Sequence, residues 1–476
     1  MPEHLSTEPL VLLINPPETN IVASEVPGAV REETAAMPPL GLLYLQAALV
    51  NAGYRAVVLD LAPADLSDVD LRKELSLHPA TVIGIGAVTH KLVDAARVLR
   101  AVTETHPGAV RCLGGPHTTV FPGESLRLPG VDFIVVGEAE QSFVGLVRRL
   151  VAGVEPADMP GVYAAARDWD RSVFPPGEPV RDLDNLPFPD NRRGAGEIYR
   201  DALAGDLPLA SIASSRGCPF GCSFCSTPRA ACRTRSPANV VEEMARSVAS
   251  GVGFIYFVDD TFNIDEERVL VLCRSIEARG LRIPWSCRAR VDRISLDMVM
   301  AMRRAGCVRI QFGVETASET GLRMLNKNIN RQQIVNAFRM TRRAGIQSAA
   351  YFMIGLPHEH SREDVLQTLS FAIELDPDYS MFNVFTPYPG TALYTLAVER
   401  GLLDGDPWRS FARAPAPGFI PPPWTEFFEA AELYRLLNHC FRRFYWRPRM
   451  ILRQLRKIDS LEEMTRRART ALRLLH

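Results

Sequence analysis

The stretch RGCPFGCSFCSTP, Arg216 to Pro228, places three cysteines at positions 218, 222 and 225 among prolines, glycines and aromatic residues. A structural zinc site normally closes its shell with four ligands, often as two spaced pairs. Three thiolates in one loop instead suit an iron–sulfur cluster, in which one iron keeps a position open for a substrate or cofactor. A closed site that adds Cys232 as the fourth ligand stays an alternative.

The cysteine loop directly follows the first of six predicted strands, and each strand but the last is followed by an amphipathic helix. The strands are LASIASS, FIYFVDDTF, PWSCRAR, RIQFGVETAS, SAAYFMIGLP and YSMFNVFTPYPG. Six such units are two short of a closed eightfold barrel, so the pattern predicts a partial (β/α)6 barrel of the TIM type. Barrels of this kind carry their chemistry at the carboxyl ends of the strands, where the cysteine loop lies.

The first part of the chain has the same α/β rhythm, with five short apolar runs separated by helical stretches. The runs are PLVLLINPP, RAVVLDLA, TVIGIGAV, AVRCLGGPH and VDFIVVGEAE. They predict a doubly wound, Rossmann-like domain, which binds ligands outside the carboxyl ends of its strands. We expect one rim there, formed by residues 15–20, 89–91, 114–117 and 137–140.

These patterns divide the chain into four predicted segments. They are a Rossmann-like domain at 1–151, a Pro-rich linker with a possible hairpin at 152–207, the partial barrel at 208–400 and a mainly helical region at 401–476. The 54 basic and 55 acidic residues nearly balance, so the composition predicts neither a nucleic-acid partner nor an anionic membrane surface.

The other features of the chain predict a cytoplasmic protein. The N-terminus has no basic leader, and no run approaches the roughly 18 apolar residues of a spanning helix. Five cysteines stand singly at 112, 273, 287, 307 and 440, as expected in a reducing compartment.

The cysteine spacing, with an aromatic residue before the last cysteine, resembles the signature of the radical S-adenosylmethionine (SAM) superfamily over roughly residues 205–400. The resemblance implies a [4Fe-4S] cluster held by Cys218, Cys222 and Cys225, with SAM chelating the fourth iron. Electron injection, from an external donor such as flavodoxin or ferredoxin, then cleaves SAM to methionine and a 5′-deoxyadenosyl radical that abstracts hydrogen from a small-molecule substrate.

The same resemblance implies the residues that bind SAM. Acidic side chains at the second strand suit its ammonium group, and arginines on the third suit its carboxylate. A fourth-strand glutamate resembles the residue that accepts the ribose hydroxyls, and two later segments resemble those beside adenine. The candidates are Phe224, Asp259, Asp260, Arg288, Arg290, Glu315, Gly355 and Tyr388.

The first domain, placed ahead of this loop, is similar to that of the cobalamin-binding radical SAM class. The resemblance implies cobalamin contacts at Pro17, Thr89, His90, Gly114, Gly115, Pro116, His117, Gly137 and Glu138. The loop after the first strand, NPPETN, lacks the Asp-x-His-x-x-Gly pattern that supplies a histidine to cobalt. We therefore expect no cobalt ligand from this loop, and we expect polar rim contacts from His90 and His117.

Taken together, these features predict an enzyme that uses radical SAM chemistry for cobalamin-dependent C-methylation of a biosynthetic intermediate. The alternative is a radical dehydratase, cyclase or rearrangement enzyme, for example on a sugar or an aminoglycoside-type natural product, whose cobalamin-type domain takes no part in methyl transfer. A cluster-bearing sensor or cobalamin-binding module is the non-enzymatic alternative. It would form no 5′-deoxyadenosine under reduction.

Overall fold

The chain forms two six-stranded sheets, and in each of them helices connect successive strands. The structure, a computed structural model, describes residues 10–22, 37–167, 173–191, 199 and 207–455. The described residues fall into two compact units. The first takes those of Met1–Ala23, Pro38–Arg193 and Asp406–Pro421, and the second takes those of Ser24–Met37, Gly194–Gly405 and Pro422–His476.

The sheet of the first unit has the strand order β2-β1-β3-β4-β5-β6. Its strands are β1 (Leu10–Asn15), β2 (Arg55–Asp60), β3 (Val82–Gly86), β4 (Val110–Gly114), β5 (Phe133–Val135) and β6 (Val162–Ala164). The first five pair in parallel, as predicted, and their order reverses between β1 and β3. In doubly wound sheets the ligand crevice opens at such a reversal.

The helices of the first unit connect these strands. They are α1 (Leu40–Asn51), α2 (Asp68–Ser76), α3 (Leu92–Thr105), α4 (Pro116–Val120), α5 (Pro122–Leu126) and α6 (Ser142–Val151), with 3-10 turns at Thr89–Lys91 and Leu183–Asn185. The unit also includes α14 (Pro407–Arg413), whose Arg409 Nη1 pairs with Glu124 Oε1 of α5 at 3.1 Å.

The segment predicted as a linker contributes β6, which pairs antiparallel with β5 at the edge of the first sheet. The pairing matches Val162 with Val135 and Ala164 with Phe133. Residues 168–172, 192–198 and 200–206 of this segment lie outside the described part of the chain.

The sheet of the second unit has six parallel strands in the order β14-β13-β12-β11-β10-β7, which is the predicted partial barrel. They are β7 (Leu209–Ile212), β10 (Phe254–Phe257), β11 (Trp285–Ala289), β12 (Cys307–Glu315), β13 (Gln347–Ile354) and β14 (Tyr379–Val384). A separate antiparallel pair, β8 (Ser215–Arg216) and β9 (Arg233–Thr234), closes the base of the cysteine loop.

Helices cover the outer face of this sheet. The helices of the second unit are α7 (Pro237–Ala249), α8 (Glu266–Ala278), α9 (Leu296–Arg304), α10 (Glu319–Met324), α11 (Arg331–Arg343), α12 (Arg362–Leu375), α13 (Ala392–Glu399), α15 (Ala430–Tyr445) and α16 (Pro448–Leu455), with a 3-10 turn at Val291–Arg293. Side-chain N-caps begin the helices that connect the strands, since Ser236, Asp265, Ser295, Asn330 and Ser361 each accept a backbone N–H. Such caps stabilise a helix by about 1 kcal/mol each.

The core of the second unit lies between the sheet and these helices. Trp285 is fully buried there, and its indole N–H donates to the Ala305 carbonyl at 2.7 Å. Pro448 starts α16 shortly after α15 ends at Tyr445. In the described residues, no helix is both long enough and apolar enough to cross a membrane.

Candidate active site

The three cysteines lie in the loop between β8 and β9, at the carboxyl end of β7, as predicted. Gly217 begins this loop with φ of 92°, and a Cβ there would lie 2.7 Å from the Ala231 carbonyl oxygen. Only glycine accepts both the left-handed conformation and this close approach. The glycine therefore lets the two arms of the loop pass each other directly before Cys218.

All three thiols are free, with Cys218 and Cys222 half-buried and Cys225 exposed. Burial raises the pKa of the Cys222 thiol, while Lys327 and Arg290 act to lower it. Three unpaired thiols on one loop, one of them beside two cations, are a donor set that fits an iron–sulfur cluster with one open iron. Among the described residues, no group of three or more His, Cys, Asp or Glu side chains is arranged to hold a single metal ion.

A segment on another element holds the cysteine loop in place. We call residues 324–328, which run from the last residue of α10 onward, the clamp segment. Asn326 Nδ2 donates to the Gly221 carbonyl at 2.6 Å. Ser223 donates from its backbone N to the Leu325 carbonyl at 3.0 Å and from its hydroxyl to the Met324 carbonyl at 3.1 Å. Both loop residues lie between ligand candidates, so the clamp fixes the backbone without using a thiol.

A buried ion pair anchors the clamp segment to β12. Lys327 Nζ lies 2.6 Å from Glu315 Oε1, and both side chains are at most 10% exposed. A Cβ on Gly313 would lie 2.4 Å from Glu315 Oε1 and 2.8 Å from Lys327 Nζ, so a glycine at this position leaves room for the pair. Removing one partner from a buried pair leaves an uncompensated charge, which costs roughly 3 kcal/mol or more.

Three residues of this arrangement adopt left-handed backbone conformations. They are Glu315 at φ of 72°, Asn326 at 48° and Asn328 at 53°. Asparagine tolerates this region, whereas for glutamate it costs about 1 kcal/mol or more. Sequence reasoning missed the clamp segment, although asparagines on both sides of Lys327 are a local signal for two such turns.

Arg290, the residue directly after β11, contacts the same loop. Its guanidinium carbon lies 3.7 Å from the ring centroid of Phe220, and its Nη2 donates to the Lys327 carbonyl at 2.7 Å. Asp292 accepts from the same guanidinium at 2.9 Å. Arg290 was predicted to bind the SAM carboxylate, but its donors are directed to protein groups and it joins the clamp to the cysteine loop.

The two acidic candidates after β10 have different environments. Asp259 is 1% exposed, and it accepts from the backbone N of Ser214 at 2.6 Å and of Ser215 at 3.1 Å. Burial is the main cause of its raised pKa. Asp260 is exposed to solvent; partial desolvation of its carboxylate raises its pKa, and Arg288 acts to lower it. Asp259 therefore holds the start of the cysteine loop, and Asp260 presents a carboxylate to the carboxyl end of the barrel.

The remaining SAM candidates lie at the ends of β13 and β14 or in the cysteine loop. Gly355 has φ of 73°, and a Cβ there would lie 2.7 Å from the Leu433 side chain of α15. Glu359 accepts from the Leu356 backbone N at 2.9 Å in the same loop, and burial raises its pKa to about 7. Tyr388 is 43% exposed, and the Phe224 ring centroid lies 5.6 Å from Lys327 Nζ.

In the first unit, the loops after β1 and β3 are joined at the reversal of strand order. The backbone N of Val22 donates to the His90 carbonyl at 2.8 Å, and Glu18 forms an ion pair with Lys91. Pro17 is buried, whereas the His90 side chain is exposed. Although it is exposed, the His90 ring is partly desolvated by the surrounding loops, and this desolvation is the main cause of its lowered pKa.

The loop after β4 packs closely on the end of β3. Gly115 has φ of 113°, and a Cβ there would lie 2.7 Å from the Ala87 carbonyl, which also accepts from the His117 backbone N at 3.1 Å. Its neighbours Gly114 and Pro116 flank this approach. A glycine is required at this position. Because it has no side chain, it also leaves the backbone accessible to a bulky ligand.

His117 is buried within this rim. Its Nδ1 lies 3.0 Å from the Thr89 hydroxyl, and its Nε2 has no partner among the described residues. Burial lowers the pKa of His117 to about 4, so the ring is neutral at pH 7. A buried nitrogen without a partner, beside a bare glycine at the ligand edge of the sheet, fits a site for a large polar cofactor such as cobalamin.

The predicted residues after β5 face a different environment. Gly137 has φ of 86° and donates its N–H to the Thr119 hydroxyl at 3.1 Å. Glu138 Oε2 accepts from the Val180 backbone N at 2.9 Å. The segment at residues 173–191 thus binds this end of the rim through Val180, whereas Thr89 and His117 contact each other directly.

Comparison with known proteins identifies the family. The Radical SAM superfamily profile matches residues 212–372, and the B12 binding domain profile matches residues 29–147. An uncharacterized methyltransferase of Pyrococcus horikoshii is 31% identical over 423 residues, which are 88% of this chain and 90% of that protein. The chain belongs to the radical SAM enzymes that carry a B12-binding domain.

Further relatives of this radical SAM enzyme cover less of their own length or are more distant. The anaerobic magnesium-protoporphyrin IX monomethyl ester cyclase of Rubrivivax gelatinosus is 31% identical over 367 residues, which are 75% of this chain and 66% of that protein. The radical SAM methyltransferase TsrM of Kitasatospora setae shares the fold, with a TM-score of 0.65 at 20% identity over 83% of this chain and 76% of that one. The cobalamin-dependent radical enzyme OxsB has a TM-score of 0.63 at 16% identity, over 91% of this chain and 61% of that one.

These comparisons confirm the predicted fold class, the family and the cofactors, which are a [4Fe-4S] cluster, SAM and cobalamin. They also confirm an enzyme that acts on a small-molecule substrate and needs a reductant. Methyl transfer is favoured over the alternative, because a relative that is 31% identical over 88% of this chain and 90% of its own is named a methyltransferase.

The first prediction concerns the cluster ligands. We expect Cys218→Ala, Cys222→Ala and Cys225→Ala each to abolish the brown chromophore after anaerobic reconstitution, because each removes one of three thiolates. Cys232→Ala is the matched control and should retain full iron and absorbance. A full-strength cluster in Cys222→Ala would show that the ligand set is different.

The second prediction concerns the clamp segment. We expect Lys327→Met to lose iron to a chelator faster than the wild-type enzyme, because Glu315 is left buried without its partner and the cysteine loop loses its anchor. Arg323→Met removes a nearby exposed cation and should leave iron release unchanged. The double variant Lys327→Met/Glu315→Gln removes the buried charge and should restore thermal stability without restoring iron retention; unchanged iron release in it would refute the clamp.

The third prediction concerns pH. The folded-state pKa of about 4 for His117 lies below its ordinary value of 6.5, so the unfolded chain takes up the proton first and stability falls as the pH drops from 6.5 to 4. The loss is roughly 3 kcal/mol. Native-state hydrogen exchange of peptides over 110–121 measures it. His117→Gln should flatten this pH dependence and His78→Gln should keep it; an unchanged slope in His117→Gln would contradict the assignment.

Proposed function

We propose that this enzyme methylates a carbon atom of a small-molecule substrate after a hydrogen atom has been removed from that carbon. The observation that carries the proposal is the alignment with the Pyrococcus horikoshii methyltransferase along 88% of the chain, which includes both cofactor domains. The donor sets of the two units support it, because each fits one of the two cofactors that the reaction uses.

In the second unit, Cys218, Cys222 and Cys225 would hold the [4Fe-4S] cluster. When bound, the cluster supplies the electron that cleaves SAM, and cobalamin carries the methyl group. The role of the protein around the cluster is positional. The clamp segment and Arg290 fix the loop through Gly221, Ser223 and Phe220, so that the backbone that carries the three thiolates would keep one conformation.

The SAM site would lie along the carboxyl ends of the barrel strands. Asp260 would bind the ammonium group, since its carboxylate is accessible and Asp259 is committed to Ser214. Glu315 would meet the ribose with its orientation set by Lys327. Gly355, Tyr388 and Phe224 complete the set.

In the first unit, cobalamin would bind at the rim where the strand order reverses. The bare backbone at Gly114 and Gly115 would admit the ring, and the buried His117 Nε2 would make a polar contact with it. The other residues proposed for this rim are Pro17, Thr89, His90, Pro116, Gly137 and Glu138.

The electron would come from a separate protein, a flavodoxin or a ferredoxin. Outside the loop, the cysteines at 112, 273, 287, 307 and 440 are all buried. Cys225 is exposed at the surface of the cysteine loop. That face would be the approach for the donor.

A second candidate function is ring closure. The Rubrivivax gelatinosus cyclase is also 31% identical, over 75% of this chain. The same radical chemistry would then act on the substrate without transfer of a methyl group from cobalamin. The two functions differ in their by-products.

The fourth prediction separates them. Under anaerobic turnover with cobalamin, methyl transfer consumes two SAM for each product, one giving S-adenosylhomocysteine and the other giving 5′-deoxyadenosine and methionine. Chromatography of these products with methyl-deuterated SAM measures the ratio. Formation of 5′-deoxyadenosine and methionine without S-adenosylhomocysteine or label in the product would exclude methyl transfer and favour the second candidate.

A further inference from the structure

Four polar side chains share the inner face of the partial barrel. Side chains alternate along each strand, and the neighbours of these residues on β10, β11, β12 and β13 pack into the outer core. The inner residues are Tyr256, Arg288, Gln311 and Tyr351. Arg288 lies directly opposite Gln311 in the pairing of β11 with β12, and hydrogen bonds join Tyr256 and Tyr351 to this pair, so the four form one connected layer.

Hydrogen bonds orient this layer. Arg288 Nε donates to the Tyr256 hydroxyl at 2.7 Å, so that hydroxyl must direct its own hydrogen elsewhere. It donates to Gln311 Oε1 at 3.2 Å, and the Tyr351 hydroxyl donates to the same oxygen at 3.0 Å. Because both hydroxyls need an acceptor, the amide orientation of Gln311 is determined. Its NH₂ group is directed away from the two tyrosines.

The layer presents donors that its own members do not use. Within the described part of the chain, Nε is the one guanidinium nitrogen of Arg288 that forms a hydrogen bond, and Arg288 forms no ion pair closer than 4 Å. Burial acts to lower the pKa of Arg288, but Tyr256, Tyr351 and Asp260 together raise it. The Arg288 side chain thus keeps its positive charge. It lies on the inner face of the barrel and is exposed to solvent there.

The floor of the barrel beside Tyr256 is also polar. Ser211 and Ser286 pair in register with Tyr256 on the two neighbouring strands. Both are at most 1% exposed, and neither hydroxyl has a hydrogen-bond partner among the described residues. Buried polar atoms normally have partners, so this part of the barrel is built for more polar contacts than the chain itself makes.

The layer lies below the cysteine loop. Arg290, which packs on Phe220 of that loop, follows Arg288 by two residues, a distance of roughly 7 Å along the strand. A molecule bound at Arg288 would therefore extend toward the cysteine loop. The separation also distinguishes Arg288 from the residues that contact the loop itself.

We propose that Arg288, with the Gln311 amide beside it, binds a carboxylate or another oxyanion of the substrate. A guanidinium with both Nη groups available forms the paired, charge-assisted hydrogen bonds that a planar oxyanion accepts. The inference rests on the proposed function, because it names a substrate class for the same site. Tyr256 is then a positioning residue that directs the guanidinium into the barrel.

The experiment measures adduct formation by phenylglyoxal at individual arginines of the reconstituted holoenzyme, by peptide mass spectrometry under anaerobic conditions. The probes are benzoate, its neutral analogue benzamide, and SAM. At ten times its Kd, benzoate should slow the reaction at Arg288 about tenfold. Benzamide should not, and the exposed Arg282 of the same segment should react at an unchanged rate in every arm.

Two variants complete the test. Arg288→Gln should weaken benzoate binding, measured by saturation-transfer NMR, about tenfold or more, while Arg282→Gln should leave it unchanged. Protection of Arg288 by SAM but not by benzoate would assign it to the cofactor carboxylate. Equal effects of benzoate and benzamide, or no reaction at Arg288 in the free enzyme, would also overturn the proposal. Benzoate protection without S-adenosylhomocysteine formation during turnover would leave this site standing and reject methyl transfer.

Discussion

The buried ion pair between Lys327 and Glu315 is the constraint on which the candidate active site depends. Thiols that bind a cluster cannot also hold their own loop, so the loop needs anchors that come from elsewhere. The pair fixes the clamp segment, and Asn326 and Arg290 extend its hold to Gly221 and Phe220. The left-handed backbone of Glu315 costs about 1 kcal/mol or more and persists because the surrounding contacts hold it.

Glycines are the second constraint on the candidate sites, because without a Cβ they let other atoms come close to the backbone. Gly115 passes the Ala87 carbonyl at a distance that no side chain tolerates, and Gly313 leaves room for the buried ion pair. One position serves the rim of the first unit and the other serves the barrel. Both follow the general rule that ligands of parallel α/β sheets meet the carboxyl ends of the strands.

Two charged side chains of the barrel, Asp260 and Arg288, are the third constraint on the candidate active site. Asp260 and Arg288 are both accessible, and each acts on the other's pKa in the direction that favours the charged forms. The arrangement provides separate places for an ammonium group and an oxyanion. Asp259, next to Asp260, and Arg290, two residues after Arg288, are instead hydrogen-bonded to protein groups. Residues of the same type that lie close in sequence therefore have different roles.

The sequence by itself determined the strand-helix alternation of both sheets, the position of the cysteine loop and the radical SAM family, because these depend on local periodicity and on spacing within one loop. Only the tertiary structure decided which side chain of each pair, Asp259 or Asp260 and Arg288 or Arg290, stays available for a ligand. That depends on hydrogen-bond partners that lie far away in sequence. It also brought Lys327 to Glu315, and it brought Asn326 to Gly221, which lies 105 residues away in sequence. Such contacts leave no periodic signal, because the chain must fold before the residues meet.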